Sequence, residues 1–130
     1  MKLLVLVSVG GALGAALRFL TYQFFVGSSL ARGGAAFPWA TLTVNVAGCF
    51  LMGLAVVTIL ERFGGSPDLR AFFMTGVLGG FTTFSAFSLD VYELFAKDSV
   101  ATVAVYIAAS VILSIAALVA GIALARWTMA

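Results

Sequence analysis

Residues suited to ion chemistry concentrate in the stretch GGFTTFSAFSLD, residues 79 to 90, inside a strongly apolar region. Glycine leaves helical geometry at little steric cost, and threonine hydroxyls can satisfy backbone groups that a helix break exposes. We therefore predict a break at Gly79-Gly80 near the middle of a long apolar span, with freed carbonyls directed at a cation. Backbone oxygens suit a hard ion such as Na⁺. A mild kink in a continuous helix is the alternative.

Aromatic and hydroxyl side chains follow the glycine pair at helical spacing. Phe84 and Phe87 share one face of the predicted helix, and Ser85 and Ser88 share a neighbouring face. The edges of aromatic rings carry partial positive charge. This pattern is typical of packing, but it also offers an anion two ring edges beside hydroxyl donors.

Two further apolar segments carry polar residues in register. In one, Thr41 and Asn45 are four residues apart. In the other, the spacing is again four, over Thr102, Tyr106, Ser110 and Ser114. Hydroxyls, an amide and a phenol are mostly donors, so these faces favour an anion that sheds part of its water shell. Interhelical hydrogen bonding is the alternative, because Ser and Thr often link membrane helices.

Charged residues inside apolar spans are rare and usually functional. Arg18 interrupts the first apolar segment, where it could attract anions at a vestibule or extend to the membrane interface. Asp90 lies three residues beyond Phe87, on the aromatic face, and is a candidate vestibule or gating residue.

The elements that position these residues follow from composition. Of 130 residues, 63% are hydrophobic and 9% charged, whereas a soluble domain carries roughly 25% charged residues. A membrane helix needs about 20 apolar residues, so we predict an all-α membrane protein with one domain, residues 1–130, and a retained first helix. The expected helices cover about residues 3–25, 39–60, 69–95 and 100–127.

Several function classes are disfavoured. The net charge is +2 without a basic cluster, which argues against a nucleic-acid partner. Histidine is absent, and the single cysteine, Cys49, permits no intramolecular disulfide. No nucleophile–base pair or phosphate loop is recognisable, because GVLGG lacks the lysine of a P-loop. We expect neither an enzyme nor an organic cofactor.

Positive charges are nearly balanced between the two ends of the predicted bundle. One end carries Lys2, Arg62, Arg70 and Arg126. The other carries Arg32 and Lys97, with Arg18 near it. A membrane protein is oriented by an excess of such charges on one side. The small difference is either chance in a protein with few charges or a sign that the chain inserts in both orientations.

The motif GGFTTFSAFS resembles the signature of the Fluc/CrcB fluoride channels, and WATLTVNVAG, residues 39–48, resembles the second-helix signature of that family. The resemblance implies an antiparallel homodimer in membrane lipid that conducts fluoride passively through two pores. It also implies a structural Na⁺ at the dimer centre, bound by the backbone carbonyls of Gly79 and Thr82. The implied fluoride pathway comprises Thr41, Asn45, Phe84, Ser85, Phe87, Tyr106, Ser110 and Ser114, and Arg18 matches the first-helix arginine of the family.

Two positions depart from the family pattern. Ala86 stands where the family usually has threonine, so the polar track loses one hydroxyl. Asp90 stands where a glutamate often follows the motif. We expect both departures to affect conduction rate more than function.

The sequence thus predicts a fluoride channel of the cell inner (cytoplasmic) membrane. One alternative is a small four-helix proton-coupled drug exporter, a mechanism that needs a carboxylate in the first helix. That helix carries Arg18 and no acid. The other alternative is a structural subunit without transport, in which the polar stripes only join helices.

Overall fold

The architecture is entirely helical in the part of the chain that the computed structural model describes, residues 1–26, 37–97 and 99–130. The long helices are α1 (Lys2–Val26), α2 (Trp39–Arg62), α5 (Phe84–Lys97) and α6 (Val100–Met129), and between α2 and α5 lie α3 (Pro67–Leu69), a π-helix (Arg70–Leu78) and α4 (Gly79–Phe81). The segments Lys2–Val26, Trp39–Arg62, Pro67–Lys97 and Val100–Met129 are each long and apolar enough to cross a membrane. The predicted all-α fold with four membrane-spanning segments is confirmed. The predicted first loop lies mostly outside the described residues, and Arg32 is among the residues left out. Asp98 of the predicted second loop also lies outside them.

Local sequence explains where several helices begin. Pro38 immediately precedes α2. Gly64 and Gly65 both adopt positive φ in the turn after α2, a conformation that side chains with a Cβ rarely adopt. Ser66 then caps α3 by accepting a hydrogen bond from the Leu69 N–H, with Pro67 at the first helical position.

The helices pack mainly in two pairs, of which the first is α1 with the third span. Glycine sets how closely the helices of each pair approach. Along α1, a Cβ on Gly14 would collide with the Val77 carbonyl, and a Cβ on Gly80 would collide with the Gly11 backbone. The second pair is α2 with α6, where a Cβ on Gly121 would collide with the Phe50 carbonyl. Small residues permit such contacts in membranes, where lipid supplies no hydrophobic force between helices.

The third span is broken near its middle, as predicted, but at a different pair of residues. Gly79 and Gly80 belong to α4, and Gly79 has ordinary helical dihedrals. The helix ends at Phe81, Thr82 is extended with ψ 157°, and α5 begins at Phe84. The prediction of a break at the glycine pair is therefore wrong. Gly80 is needed for contact with α1, and the chain leaves helical geometry at the two threonines.

Candidate functional site

The broken backbone is held by one side chain of α2. The Asn45 Oδ1 atom accepts a hydrogen bond from the Thr83 N–H at 2.8 Å, and Asn45 Nδ2 donates to the Thr83 carbonyl at 3.0 Å. A membrane interior requires every backbone polar group to be paired. The Asn45 amide meets this requirement for both polar groups of Thr83, as a neighbouring peptide would.

Thr83 in turn caps the start of α5. Its hydroxyl accepts a hydrogen bond from the Ala86 N–H at 3.1 Å, which is the geometry of a helix N-cap. Thr83 itself is buried, with 7% of its surface exposed. The N-terminus of α5, the positive end of its helix dipole, is therefore fixed halfway along the third span.

These bonds remove the helical donors of two carbonyls. In a continuous helix, Thr83 N–H would donate to the Gly79 carbonyl and Ala86 N–H to the Thr82 carbonyl. Both donors are instead engaged elsewhere, by Asn45 and by the Thr83 hydroxyl. Gly79 is exposed on the subunit surface. Its backbone oxygen and that of Thr82 fit the chemistry of a Na⁺ site, since unwound membrane helices bind this ion through carbonyls.

Arg18 also contacts the break. Its Nη1 atom donates a hydrogen bond to the Thr82 carbonyl at 3.3 Å, and the side chain is half-buried. The contact accounts for one lone pair of that oxygen, and a carbonyl has two. Arg18 therefore does not extend away to the interface in this structure but brings a positive charge to the middle of the third span.

A groove beside the break, which we call the Phe84 groove, encloses about 270 Å³. The Phe84 and Phe87 rings in its wall are 5.4 Å apart between centroids and tilted by 42°. The Ser110 hydroxyl is buried there without a hydrogen-bond partner among the described residues. Of the predicted pathway and Na⁺ residues, the groove brings together Asn45, Thr82, Phe84, Phe87, Ser110 and Ser114.

A second groove, which we call the Arg18 groove, encloses about 670 Å³ on another side of Thr83. Its wall includes Arg18, Tyr22, Ser85 and Ala86. The predicted pathway residue Ser85 thus lies with Arg18 rather than in the Phe84 groove. Thr83 lines both grooves.

Three predicted residues, Thr41, Asp90 and Tyr106, line neither groove. Tyr106 is completely buried, and its hydroxyl donates to Asp90 Oδ2 at 2.9 Å. The Tyr106 ring lies 5.4 Å from the Phe87 ring, between centroids. Thr41, 1% exposed, shares a hydrogen bond of 2.7 Å with Tyr22. Asp90 is therefore bound to the aromatic cluster that continues from Phe87.

Sequence reasoning missed two residues of this arrangement. In the sequence, Thr83 is recognisable only as one of two hydroxyls near the glycines, although it is the residue that Asn45 binds. Tyr22 belongs to none of the predicted sets. Its position one helical turn after Arg18 was the available signal, because residues four apart share a helix face.

The fold and this site define a class: a multi-pass membrane protein built around a broken helix, with a mainly apolar groove beside the break that holds several hydroxyl groups. Residues 5–122 match the family model described as CrcB-like protein, Camphor Resistance (CrcB). The chain belongs to this family, as the sequence resemblance indicated.

Similar proteins cover the chain almost completely. A protein of Rhizobium johnstonii named fluoride-specific ion channel FluC is 49% identical over 122 residues, which is 94% of this chain and 94% of that protein. Proteins of the same name from Rhizobium meliloti and Rhodospirillum centenum are 49% and 48% identical. They cover 97% and 100% of this chain, and 98% and 100% of their own lengths.

Proposed function

We propose that this protein is a fluoride-specific ion channel and not an enzyme. The observation that carries the proposal is the Phe84 groove. It places two phenylalanine rings and the Ser110 hydroxyl beside the N-terminus of a membrane half-helix. Each of these features favours an anion. The names of the relatives support fluoride as that anion.

Conduction in this proposal is passive. Fluoride leaves part of its water shell and meets fixed donors, first the ring edges of Phe84 and Phe87 and then the hydroxyls of Ser110 and Ser114. The positive end of the α5 dipole lowers the cost of an anion at this depth. Each contact is weak and neutral, so the ion can also leave, as conduction requires. Export of fluoride across the cytoplasmic membrane follows from its concentration gradient.

We also propose an antiparallel homodimer. Phe84 is 77% exposed on the single subunit and is adjacent to the break, yet non-helical backbone in a membrane must be covered by protein or line a cavity. A second copy of this chain supplies such cover. Inverted packing agrees with the nearly balanced positive charges, because an oriented protein needs an excess on one side.

A Na⁺ ion at the dimer centre completes the proposal. The carbonyls of Gly79 and Thr82 from both subunits would hold it. The ion would be attracted to the partial negative charge of these oxygens, which have lost their helical donors. Replacement of Na⁺ by choline during purification is expected to lower the dimer fraction, and re-addition of Na⁺ should restore it. A dimer fraction independent of Na⁺ would contradict this part of the proposal and leave fluoride conduction standing.

The central experiment is fluoride efflux from liposomes that contain the purified protein, followed with a fluoride electrode, with chloride efflux as the matched control. We expect fluoride efflux with little chloride efflux. Equal flux of both anions would refute selectivity, and no flux would favour the structural subunit. Orientation is tested by an Ala130→Cys label in a Cys49→Ser background. A membrane-impermeant thiol reagent should reach about half of the labels if both orientations insert equally.

A further inference from the structure

Arg18 supplies the donor that the break takes away from the Thr82 carbonyl. In a continuous helix this oxygen would accept a hydrogen bond from the Ala86 N–H, but that N–H donates to the Thr83 hydroxyl instead. Arg18 Nη1 donates to the Thr82 oxygen at 3.3 Å. A guanidinium on α1 therefore replaces a backbone donor of the third span.

The depth of Arg18 in α1 keeps its charge at the break. An arginine near a helix end can extend to the membrane interface, but α1 continues to Val26, about eight residues or roughly 12 Å beyond Arg18. The side chain is half-buried. Arg18 forms no ion pair among the described residues, where the ion pairs are Lys2 with Asp68 and Lys97 with Glu93. The Arg18 charge thus acts on the break without a carboxylate partner in the described part of the chain.

The oxygen that Arg18 contacts is also one of the two that the proposed Na⁺ site uses. A carbonyl has two lone pairs, so a hydrogen bond and an ion can share it. Sharing brings two positive charges to one oxygen atom. Like charges repel at such short range, and more strongly where water is excluded. The Arg18 guanidinium therefore opposes Na⁺ at the Thr82 carbonyl.

We propose that Arg18 sets the Na⁺ affinity of the break: it shares the Thr82 carbonyl with the ion and keeps that affinity low. The inference rests on the proposed Na⁺ site of the dimer. It gives Arg18 an effect on a cation, which can be measured without fluoride and is separate from any attraction of anions to a vestibule.

The test is the dimer fraction of the purified protein in detergent as a function of Na⁺ concentration, with choline keeping the ionic strength constant. Arg18→Gln and Arg18→Met remove the charge. We expect each to lower the Na⁺ concentration that gives half of the maximal dimer by about 10- to 100-fold, the size of one like charge removed at short range. Arg18→Lys keeps the charge and should stay closer to the wild type than either neutral variant.

Arg62→Gln is the matched control, because Arg62 is exposed at the end of α2, and it should leave the Na⁺ midpoint unchanged. An equal shift in this control would assign the effect to net charge and overturn the proposal. An Arg18→Lys midpoint as low as those of the neutral variants would also overturn it, because the charge would then not be the cause.

An unchanged or raised midpoint in a neutral variant that dimerises would overturn the proposal, since repulsion would then not be the main effect of Arg18. If Arg18→Met forms no dimer at saturating Na⁺, Arg18→Gln, which retains an N–H donor, decides the test. Failure of both to dimerise would show that Arg18 is required for the fold, and would overturn the proposal as well. A wild-type dimer that is independent of Na⁺ would refute the Na⁺ site itself.

Discussion

The Asn45 side chain bonds both polar groups of the Thr83 backbone, with N–H to Oδ1 at 2.8 Å and Nδ2 to the carbonyl at 3.0 Å. One amide thus stands in for a helical neighbour at the point where the third span is broken. The same contact takes the donor that the Gly79 carbonyl would otherwise have. At the break, the polar groups of Thr83 are therefore paired, whereas the Gly79 carbonyl has lost its helical donor and can bind a ligand.

Replacement of Asn45 should therefore cost stability as well as conduction. Asn45→Leu removes partners from two buried groups, and we expect a loss of about 2–4 kcal/mol in unfolding free energy. Asn45→Asp keeps the acceptor for Thr83 N–H, but an ionised carboxylate cannot donate to the carbonyl and is itself costly inside a membrane, so its loss should be at least as large. Unfolding in detergent measures both, with Thr43→Ala, exposed on the same helix, as control. Equal stability of Asn45→Leu and the control would contradict the bracing role.

Two glycines of α1 provide a matched test of the close packing. A Cβ on Gly14 would collide with the Val77 carbonyl, whereas a Cβ on Gly11 meets nothing within 4 Å. Gly14→Ala should lower the unfolding free energy by about 1–3 kcal/mol, as overpacking does. Gly11→Ala should leave stability within about 0.5 kcal/mol of the wild type, like other substitutions without new contacts. The prediction fails if the two variants unfold alike.

The fold was largely predictable from sequence, whereas the detail of the break was not. The length of each apolar run locates the four spans, because the membrane sets that length. The position of the break depends on tertiary contacts: Gly80 is held in helical geometry against Gly11, and Asn45 bonds Thr83 from another helix. Periodicity within one segment does not reveal such contacts. For the same reason, the sequence indicates candidate pathway residues, but it does not reveal that they divide between two grooves.

The two groove phenylalanines should separate conduction from stability. Phe84 is 77% exposed on the subunit, whereas Phe87 packs against the core that contains Leu42, Leu94, Val103 and Tyr106. Both Phe84→Ile and Phe87→Ile remove the polarised ring edge, so both should greatly reduce fluoride efflux from liposomes. We expect only Phe87→Ile to lower the unfolding temperature of the subunit. Flux like the wild type in both variants would refute the assigned pathway.

Ala86 lines the Arg18 groove beside Ser85 and Tyr22, at the position where the sequence resemblance leads us to expect threonine. The groove encloses about 670 Å³, so it has room for two more heavy atoms. Ala86→Thr adds a hydroxyl donor near the Arg18 charge, and we expect fluoride efflux to rise about 2- to 10-fold, within the worth of one added hydrogen bond. Ala86→Val has nearly the same shape without the donor and should leave efflux unchanged. An equal effect of both substitutions would show that volume, and not the hydroxyl, controls conduction at this position.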